Sequence, residues 1–206
     1  MSPAATAIAN EDAALVEQTQ QGDMTAFARL VVKYQDRVYN TCWRLCGHAE
    51  DAQDLTQEVF LRALAAIDRF QGKAGFYTWL FRIAVNQTIS HRRKQRGGVH
   101  LSLHDGDGLR LADTQAAGLV RRTGVVRRED PGDVLATREA QQAVLRVLGE
   151  MEDDYRVVLV LRDIEGFDYQ QIAEILDIAV GTVKSRLHRA RMAMKDKLGP
   201  LVAAPG

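Results

Sequence analysis

Apolar residues recur at steps of three and four positions along most of the chain, a spacing typical of helices that bury one face. From about Glu11 to Arg96 the pattern predicts a short amphipathic helix, a long helix after an Asp N-cap, a third helix and a fourth over Tyr77 to Arg93. The buried faces of the two middle helices are predicted at Phe27, Leu30, Val31, Tyr34, Val38, Cys42 and Leu45, and at Leu55, Val59, Phe60, Ala63, Leu64 and Ile67. Residues 1–96 are therefore predicted to form one helical domain.

The helical period stops at Gly97 and returns near Thr137. Residues 97–136 mix Gly, Asp and Arg with isolated Leu and Val, and they are too many for a connection inside a compact domain. We interpret them as a flexible linker to a second helical domain over residues 137–206. The predicted fold class is therefore all-α, with two small helical domains joined by a flexible linker.

The second domain contains the most informative pattern, YQQIAEILDIAVGTVKSRLHRAR at residues 169–191. Ile172, Ala173 and Leu176 share one face of a short helix, and Val183 and Leu187 share the inner face of the next. This spacing predicts a helix-turn-helix. Asp177 stands in the turn, where many such motifs use Gly for its positive φ. The outer face of the second helix carries groups suited to phosphates and base edges: Thr182, Lys184, Ser185, Arg186, His188 and Arg189.

Charge is segregated along the chain although the total is balanced. The 27 basic and 27 acidic residues cancel, so the chain as a whole has no general attraction to nucleic acid. Residues 76–96 contain five Lys or Arg and no acid, whereas residues 50–58 contain four acids and no base. We interpret these runs as cationic and anionic binding surfaces. Solvated helix faces that serve solubility are the alternative.

Other classes of site find little support in the sequence. No apolar run reaches the roughly 18 to 20 residues of a membrane span, and the N-terminus lacks signal-peptide features, so we expect a cytoplasmic protein without membrane insertion. Cys42 and Cys46 stand four apart with His48 nearby, but no second ligand pair follows, so buried core thiols are favoured. With no phosphate loop or nucleophile motif, we predict neither a cofactor nor an enzyme.

Three motifs carry a family resemblance. DLTQEVFLRAL at residues 54–64 and RFQGKAGFYTWLFRIAVNQ at residues 69–87 resemble region two of bacterial RNA polymerase sigma factors of the extracytoplasmic-function group. IAEILDIAVGTVKSRLHRAR at residues 172–191 resembles region four of the same group. The resemblance implies a subunit that binds core RNA polymerase and promoter DNA, both as duplex and as melted strand. An anti-sigma factor is a further candidate partner.

The resemblance also implies roles for individual residues. Asp54, Gln57 and Glu58 would dock on polymerase, although Asp54 would also suit the N-terminal part of a helix for electrostatic reasons. The minus-ten element would be bound by the loop before the fourth helix and by one polar face of that helix: Gly72, Lys73, Ala74, Gly75, Phe76, Arg82, Asn86, Ser90 and Arg93. Trp79 and Phe81 have the chemistry to stack on bases, but core packing is favoured for both.

For the minus-thirty-five element, the resemblance assigns base readout to Lys184, Ser185, His188 and Arg189. Thr182 and Arg186 are better suited to phosphates. A basic solvent face without sequence readout is the alternative. For the whole chain, the alternative is a free-standing helix-turn-helix regulator that binds duplex DNA without polymerase, which would leave residues 54–58 and the FYTWLFRIAVN motif without a role.

Overall fold

A computed structural model describes residues 3–95 and 143–202, with the side chains of residues 10–95 and 143–198. The first domain consists of α1 (Pro3–Gln20), α2 (Met24–Cys46), α3 (Ala49–Ala66), a short 3₁₀ turn (Ile67–Arg69) and α4 (Phe76–Gln95). The second consists of α5 (residues 143–150), α6 (Asp153–Leu159), a π-helix (Val160–Ile164), α7 (Tyr169–Leu176) and α8 (Val180–Val202). Within these ranges there is no strand, in agreement with the all-α prediction. The predicted linker, residues 97–136, lies outside the described residues.

Helix α2 lies at the centre of the first domain and contacts α1, α3 and α4. The Asp23 side chain caps its start by accepting a hydrogen bond from the Thr25 N–H at 2.8 Å, as the sequence predicts. Gly47 ends the helix with φ +87°, and its N–H donates to the Trp43 carbonyl. The buried face includes the predicted Leu30, Val38 and Cys42, all fully buried.

Helix α1 begins at Pro3, eight residues before the predicted start near Glu11. It is fastened to α2 by Asp12, which is buried and accepts hydrogen bonds from Lys33 at 2.6 Å and from the Tyr34 hydroxyl. Burial, together with this bond to Asp12, raises the pKa of the Tyr34 hydroxyl. The hydrophobic pattern did not predict the first two turns, because a segment rich in alanine has too little contrast between apolar and polar residues to show a helical period.

The helix-turn-helix forms where the sequence predicts it. Asp168 and Gln171 make a reciprocal capping box at the start of α7, with bonds of 2.8 and 2.9 Å. Asp177 ends α7 in the left-handed region at φ 53°, ψ 49°, and Ala190 and the predicted Val183 and Leu187 bury the inner face of α8. The turn therefore sets the angle between α7 and α8, and the outer face of α8 remains exposed.

The two domains pack against each other, which the sequence did not indicate. Helix α4 contacts α7, and α2 contacts α6 and the π-helix. Phe167, only 2% exposed, stacks on the Tyr77 ring with centroids 4.6 Å apart. The Arg156 guanidinium, 1% exposed, donates to the Leu45 carbonyl at 3.1 Å. One continuous apolar core therefore runs through both domains.

Candidate nucleic-acid interface

The acidic ridge on α3, formed by Asp51, Asp54, Gln57 and Glu58, lies opposite the helix face that packs in the core. Asp54 is exposed and has no ionic partner in the described part of the chain, whereas Gln57 and Glu58 are half-buried. Glu58 pairs with Arg62 one turn later, at 2.6 Å. Because this pair is on the surface, a partner's cation would displace it at little cost.

Asp51 is the member of the ridge held by its own domain. Its carboxylate accepts a hydrogen bond from Gln95 at 3.0 Å and lies 3.4 Å from the His91 ring nitrogen. The Gln95 bond, followed by those to His91, lowers the pKa of the Asp51 carboxyl. The carboxylate of Asp54 is thus the most accessible of the ridge.

One face of α4 carries a row of exposed polar side chains. Arg82, Asn86, Ser90 and Arg93 follow one another at steps of four, four and three residues, and all are exposed. Leu80 and Ala84 are fully buried and Ile83 is partly buried, as predicted for the packed side. This arrangement puts an amide, a hydroxyl and cations in one row about 16 Å long, at 1.5 Å per residue.

The loop before α4 rests on an aromatic cluster. Gly72, Lys73 and Gly75 are exposed, Ala74 is half-buried, and Gly72 has φ +69°. The rings of Phe70, Phe76 and Trp79 lie 5.0 to 6.2 Å apart beneath the loop. Phe76 is predicted to be part of the base-binding loop, but its ring is only 4% exposed and packs on Tyr34, Phe70 and Trp79.

The other two aromatic positions differ in their exposure. Phe81 is fully buried against Tyr77 and Phe167, so it has no ring surface for a base. Trp79 is half-buried and packs on Phe70 and Phe76. Core packing, the favoured prediction for both, is what the structure shows.

The outer face of α8 presents Lys184, Ser185, His188 and Arg189 to solvent, while Thr182 and Arg186 are half-buried at its edge. Ser185 donates to the Thr182 carbonyl at 3.0 Å. Cations therefore project from the first three turns of α8, where a recognition helix meets base edges.

Several of these cations have a partner from the helices packed beside α8. Arg186 pairs with Asp154 at 2.5 Å, and Arg189 lies 3.4 Å from the Tyr155 hydroxyl. Lys184 stands 5.8 Å from the centre of the Tyr169 ring. Sequence reasoning missed these contacts because Asp154 and Tyr155 lie on α6, outside any recognisable motif, and Tyr169 opens α7, where the sequence pattern does not show that it faces α8.

The described residues include no group of three or more His, Cys, Asp or Glu side chains able to hold a metal. Cys42 and Cys46 are both buried free thiols. Burial raises the pKa of the Cys42 thiol to about 11, which makes it unreactive. None of the described helices combines the length and the apolar character that a membrane span requires.

Comparison with known proteins identifies the two domains. Residues 30–97 match the family Sigma-70 region 2, and residues 141–194 match Sigma-70, region 4. The chain is 36% identical to the ECF RNA polymerase sigma-E factor of Escherichia coli K12 over 191 residues, covering 93% of this chain and 96% of that protein. The chain belongs to the extracytoplasmic-function group of sigma factors. The ECF sigma factor SigW of Bacillus subtilis is also 36% identical, over 90% of this chain and 96% of its own length.

Two solved structures share the fold. The sigma factor RpoE of Bartonella quintana, solved with the anti-sigma factor NepR, is 25% identical with a TM-score of 0.60, covering 84% of this chain and 96% of that one. CnrH, solved with the cytosolic domain of CnrY, has a TM-score of 0.66 at 24% identity, covering 92% and 98%. As an ECF sigma factor, the protein binds core RNA polymerase and directs promoter recognition and transcription initiation. Membership of this family does not favour the alternative prediction, a free-standing helix-turn-helix regulator that binds duplex DNA without polymerase.

Proposed function

We propose that three exposed surfaces divide the work of this sigma factor: Asp54, Gln57 and Glu58 dock on core polymerase, the loop 72–76 with the polar face of α4 holds the melted minus-ten strand, and the outer face of α8 reads the minus-thirty-five duplex. The observation that carries the proposal is that α3, α4 and α8 each expose charged and polar side chains, including Asp54, Arg82 and Lys184, opposite a buried apolar face. The docking surface is anionic, and both DNA surfaces are cationic.

The α4 surface suits single-stranded DNA because it combines cations for the backbone with an amide for base edges. Asn86 stands between Arg82 and Ser90 on the exposed row. The loop before α4 approaches a base closely because Gly72 and Gly75 lack side chains. With Phe76 buried beneath it, the loop contributes its backbone and Lys73 rather than a stacking ring.

The α8 surface suits duplex DNA because it is a helix with a free outer face, as in the major-groove readers of helix-turn-helix proteins. Lys184 and Arg189 are exposed and positively charged, and both match guanine edges. Arg186 is already paired with Asp154, so its approach to a phosphate requires exchange of that ion pair.

The proposal includes a regulatory partner and a location. Because a relative was solved with an anti-sigma factor, we expect this chain to have an inhibitory protein partner of that kind. We further propose that it acts in the cytoplasm, where core polymerase is, as a non-catalytic subunit.

The test is initiation by core polymerase on a promoter selected from random DNA by the reconstituted holoenzyme. Variants of the three surfaces should fail at three separable steps: polymerase binding, upstream attachment and strand melting. Failure of all variants at the same step, with the fold intact, would contradict the division of roles.

A further inference from the structure

Gln20, the last residue of α1, is bonded to the segment that leads into the loop before α4. Its side-chain amide nitrogen donates to the Ile67 carbonyl at 2.8 Å and to the Phe70 carbonyl at 3.1 Å, across 47 and 50 residues of sequence. A side-chain amide has two N–H donors, so these two carbonyls use its whole donor capacity. The amide therefore ties two backbone atoms of one short segment to α1.

The two carbonyls lie where the chain enters the loop. Ile67 opens the 3₁₀ turn and is 2% exposed, so its side chain is fixed in the core. Its carbonyl also accepts the Phe70 N–H at 3.0 Å. Phe70 then leaves the turn in an extended conformation, at φ −70° and ψ 116°. Gln20 thus holds the backbone at the point where the direction of the loop is set.

The loop has few other polar attachments. Among the described residues, Gln20 is the one side chain that hydrogen-bonds to the backbone of residues 67–75. At the far end of the loop, the Trp79 N–H donates to the Gly75 carbonyl at 3.1 Å in the first turn of α4. The Phe70 ring packs on Phe76 and Trp79. Ring packing and α4 therefore hold one end, whereas the backbone at the entry depends on Gln20.

Helix α1 is itself a fixed support for the amide. It contacts α2, α4 and the 3₁₀ turn, and Leu15 and Val16 on its inner face are buried. Asp12 is bonded to two side chains of α2. The buried Thr19 hydroxyl, next to Gln20, donates to the Leu15 carbonyl at 2.7 Å. The position of the Gln20 amide is thus set by the packed domain and not by the loop.

Helix α1 also lies outside the matched family region, since the match to Sigma-70 region 2 begins at residue 30. Under the proposed function, the loop approaches a base with its backbone, and its residues Gly72 and Lys73 are exposed. A segment that is already ordered binds its ligand at a lower cost than one that must be ordered on binding. Holding the entry of the loop would therefore strengthen base binding without any contact between Gln20 and DNA.

We propose that Gln20 is a positioning residue for the loop 72–76, whose amide holds the Ile67 and Phe70 carbonyls and so orders the loop for the minus-ten base that it binds. The effect on base binding rests on the proposed function, whereas the order of the free loop does not. Helix α1 thereby contributes to minus-ten recognition through the loop.

Three substitutions separate the donors of Gln20 from its size. Gln20→Met keeps the length of the side chain and removes both N–H donors. Gln20→Glu puts a group that only accepts hydrogen bonds against two carbonyls. Gln20→Lys restores N–H donors on a slightly longer chain and is the rescue variant. Gln21→Met and Gln21→Glu are the matched controls, because Gln21 is an exposed neighbour whose side chain has no hydrogen bond among the described residues.

The first readout is the order of the loop in the free full chain, measured by backbone relaxation and amide exchange. In Gln20→Met, the order parameters of residues 71–75 should fall below those of the parent chain, into the flexible range under about 0.6. The Phe70 N–H should exchange about tenfold faster, because the carbonyl that it binds is less firmly held. Gln20→Glu should show larger changes, and Gln20→Lys and both Gln21 variants should resemble the parent.

The second readout is base discrimination by the holoenzyme on a pre-opened bubble with cognate or substituted minus-ten bases. Gln20→Met should lower the preference for the cognate base about tenfold, and Gln20→Glu should lower it further. Gln20→Lys should retain the preference of the parent. Affinity for core polymerase should be the same in all variants, whereas a general loss of fold would lower polymerase binding as well.

The outcomes separate this role from the proposed function. Unchanged order and exchange in both Gln20→Met and Gln20→Glu would overturn the proposal whatever the DNA surfaces do. A disordered loop with full discrimination would overturn it too, because the loop would then read the base without being held. Equal losses in the Gln21 controls, or no recovery in Gln20→Lys, would also count against it. A parent holoenzyme without base preference would contradict the proposed function instead, and the order of the free loop would still decide whether Gln20 holds it.

Discussion

Asp177 is an unfavourable residue for the turn of the helix-turn-helix, and its replacement should stabilise the second domain. It lies in the left-handed region at φ 53°, ψ 49°, the single such non-glycine residue in the part of the chain that the structure describes. Its carboxylate also stands at the C-terminal, negative end of α7. The backbone conformation and the negative charge therefore both make Asp unfavourable at this position.

The two costs are separable by substitution. A left-handed residue with a β-carbon costs about 1 kcal/mol, less for Asp than for most, and an acid at a helix C-terminus costs about 0.3 to 1 kcal/mol. Asp177→Asn removes only the charge and should raise the free energy of unfolding by about 0.5 kcal/mol. Asp177→Gly removes both costs and should raise it by about 1 to 1.5 kcal/mol, whereas Asp177→Val should lower it by about 1 kcal/mol or more.

The assay is urea unfolding of the full chain, combined with amide exchange to localise the change. The Ile178 N–H donates to the Ala173 carbonyl at 3.1 Å across the turn, so its exchange should slow in Asp177→Gly. Glu174→Gln neutralises an exposed acid in the last turn of α7 without changing backbone strain, and it is the control for the charge effect alone. A gain from Asn as large as that from Gly, or a loss from Gly, would refute the account of backbone strain.

Further predictions concern the three surfaces. Glu58→Lys should weaken binding to core polymerase in a direct titration, while Glu17→Lys, a change of the same charge on an exposed part of α1, should not; equal affinities would remove the ridge from the docking surface. Lys184→Ala and Arg189→Ala should each lower affinity for the selected upstream duplex about tenfold or more and relax sequence preference, since each removes a base contact. Equal losses on a scrambled duplex would make them phosphate anchors. Asn86→Ala should abolish discrimination between cognate and substituted minus-ten bases on a pre-opened bubble; retained discrimination would assign it a structural role.

The sequence predicted the parts of the fold that depend on repeated local patterns. The exposed row on α4 and the inner face of α8 follow from a period of three to four residues, which a helix converts directly into faces. The N-cap at Asp23 follows from hydrogen bonding within one turn. In each case the deciding interactions lie within a few residues of one another.

Features that depend on distant contacts escaped prediction. Glu165 and Phe167 flank a glycine in a loop, where no period exists, and the Thr41 hydroxyl that binds Glu165 is more than a hundred residues away. The base-binding role of Phe76 was expected from the family resemblance; the packing on Phe70 and Trp79 that buries its ring could not be predicted from the local sequence. Burial of Arg156 was equally hidden, because an arginine in a helix normally indicates a surface.

The Leu45 carbonyl at the end of α2 receives guanidinium donors from both domains. Arg92 of the first domain and Arg156 of the second both donate to this oxygen. A donor of the second domain therefore shares one acceptor with a donor of the first, and this carbonyl has its full set of partners only when the two domains are together. In calorimetry, the full chain should melt in a single transition, and either half produced alone should melt at a lower temperature than the whole.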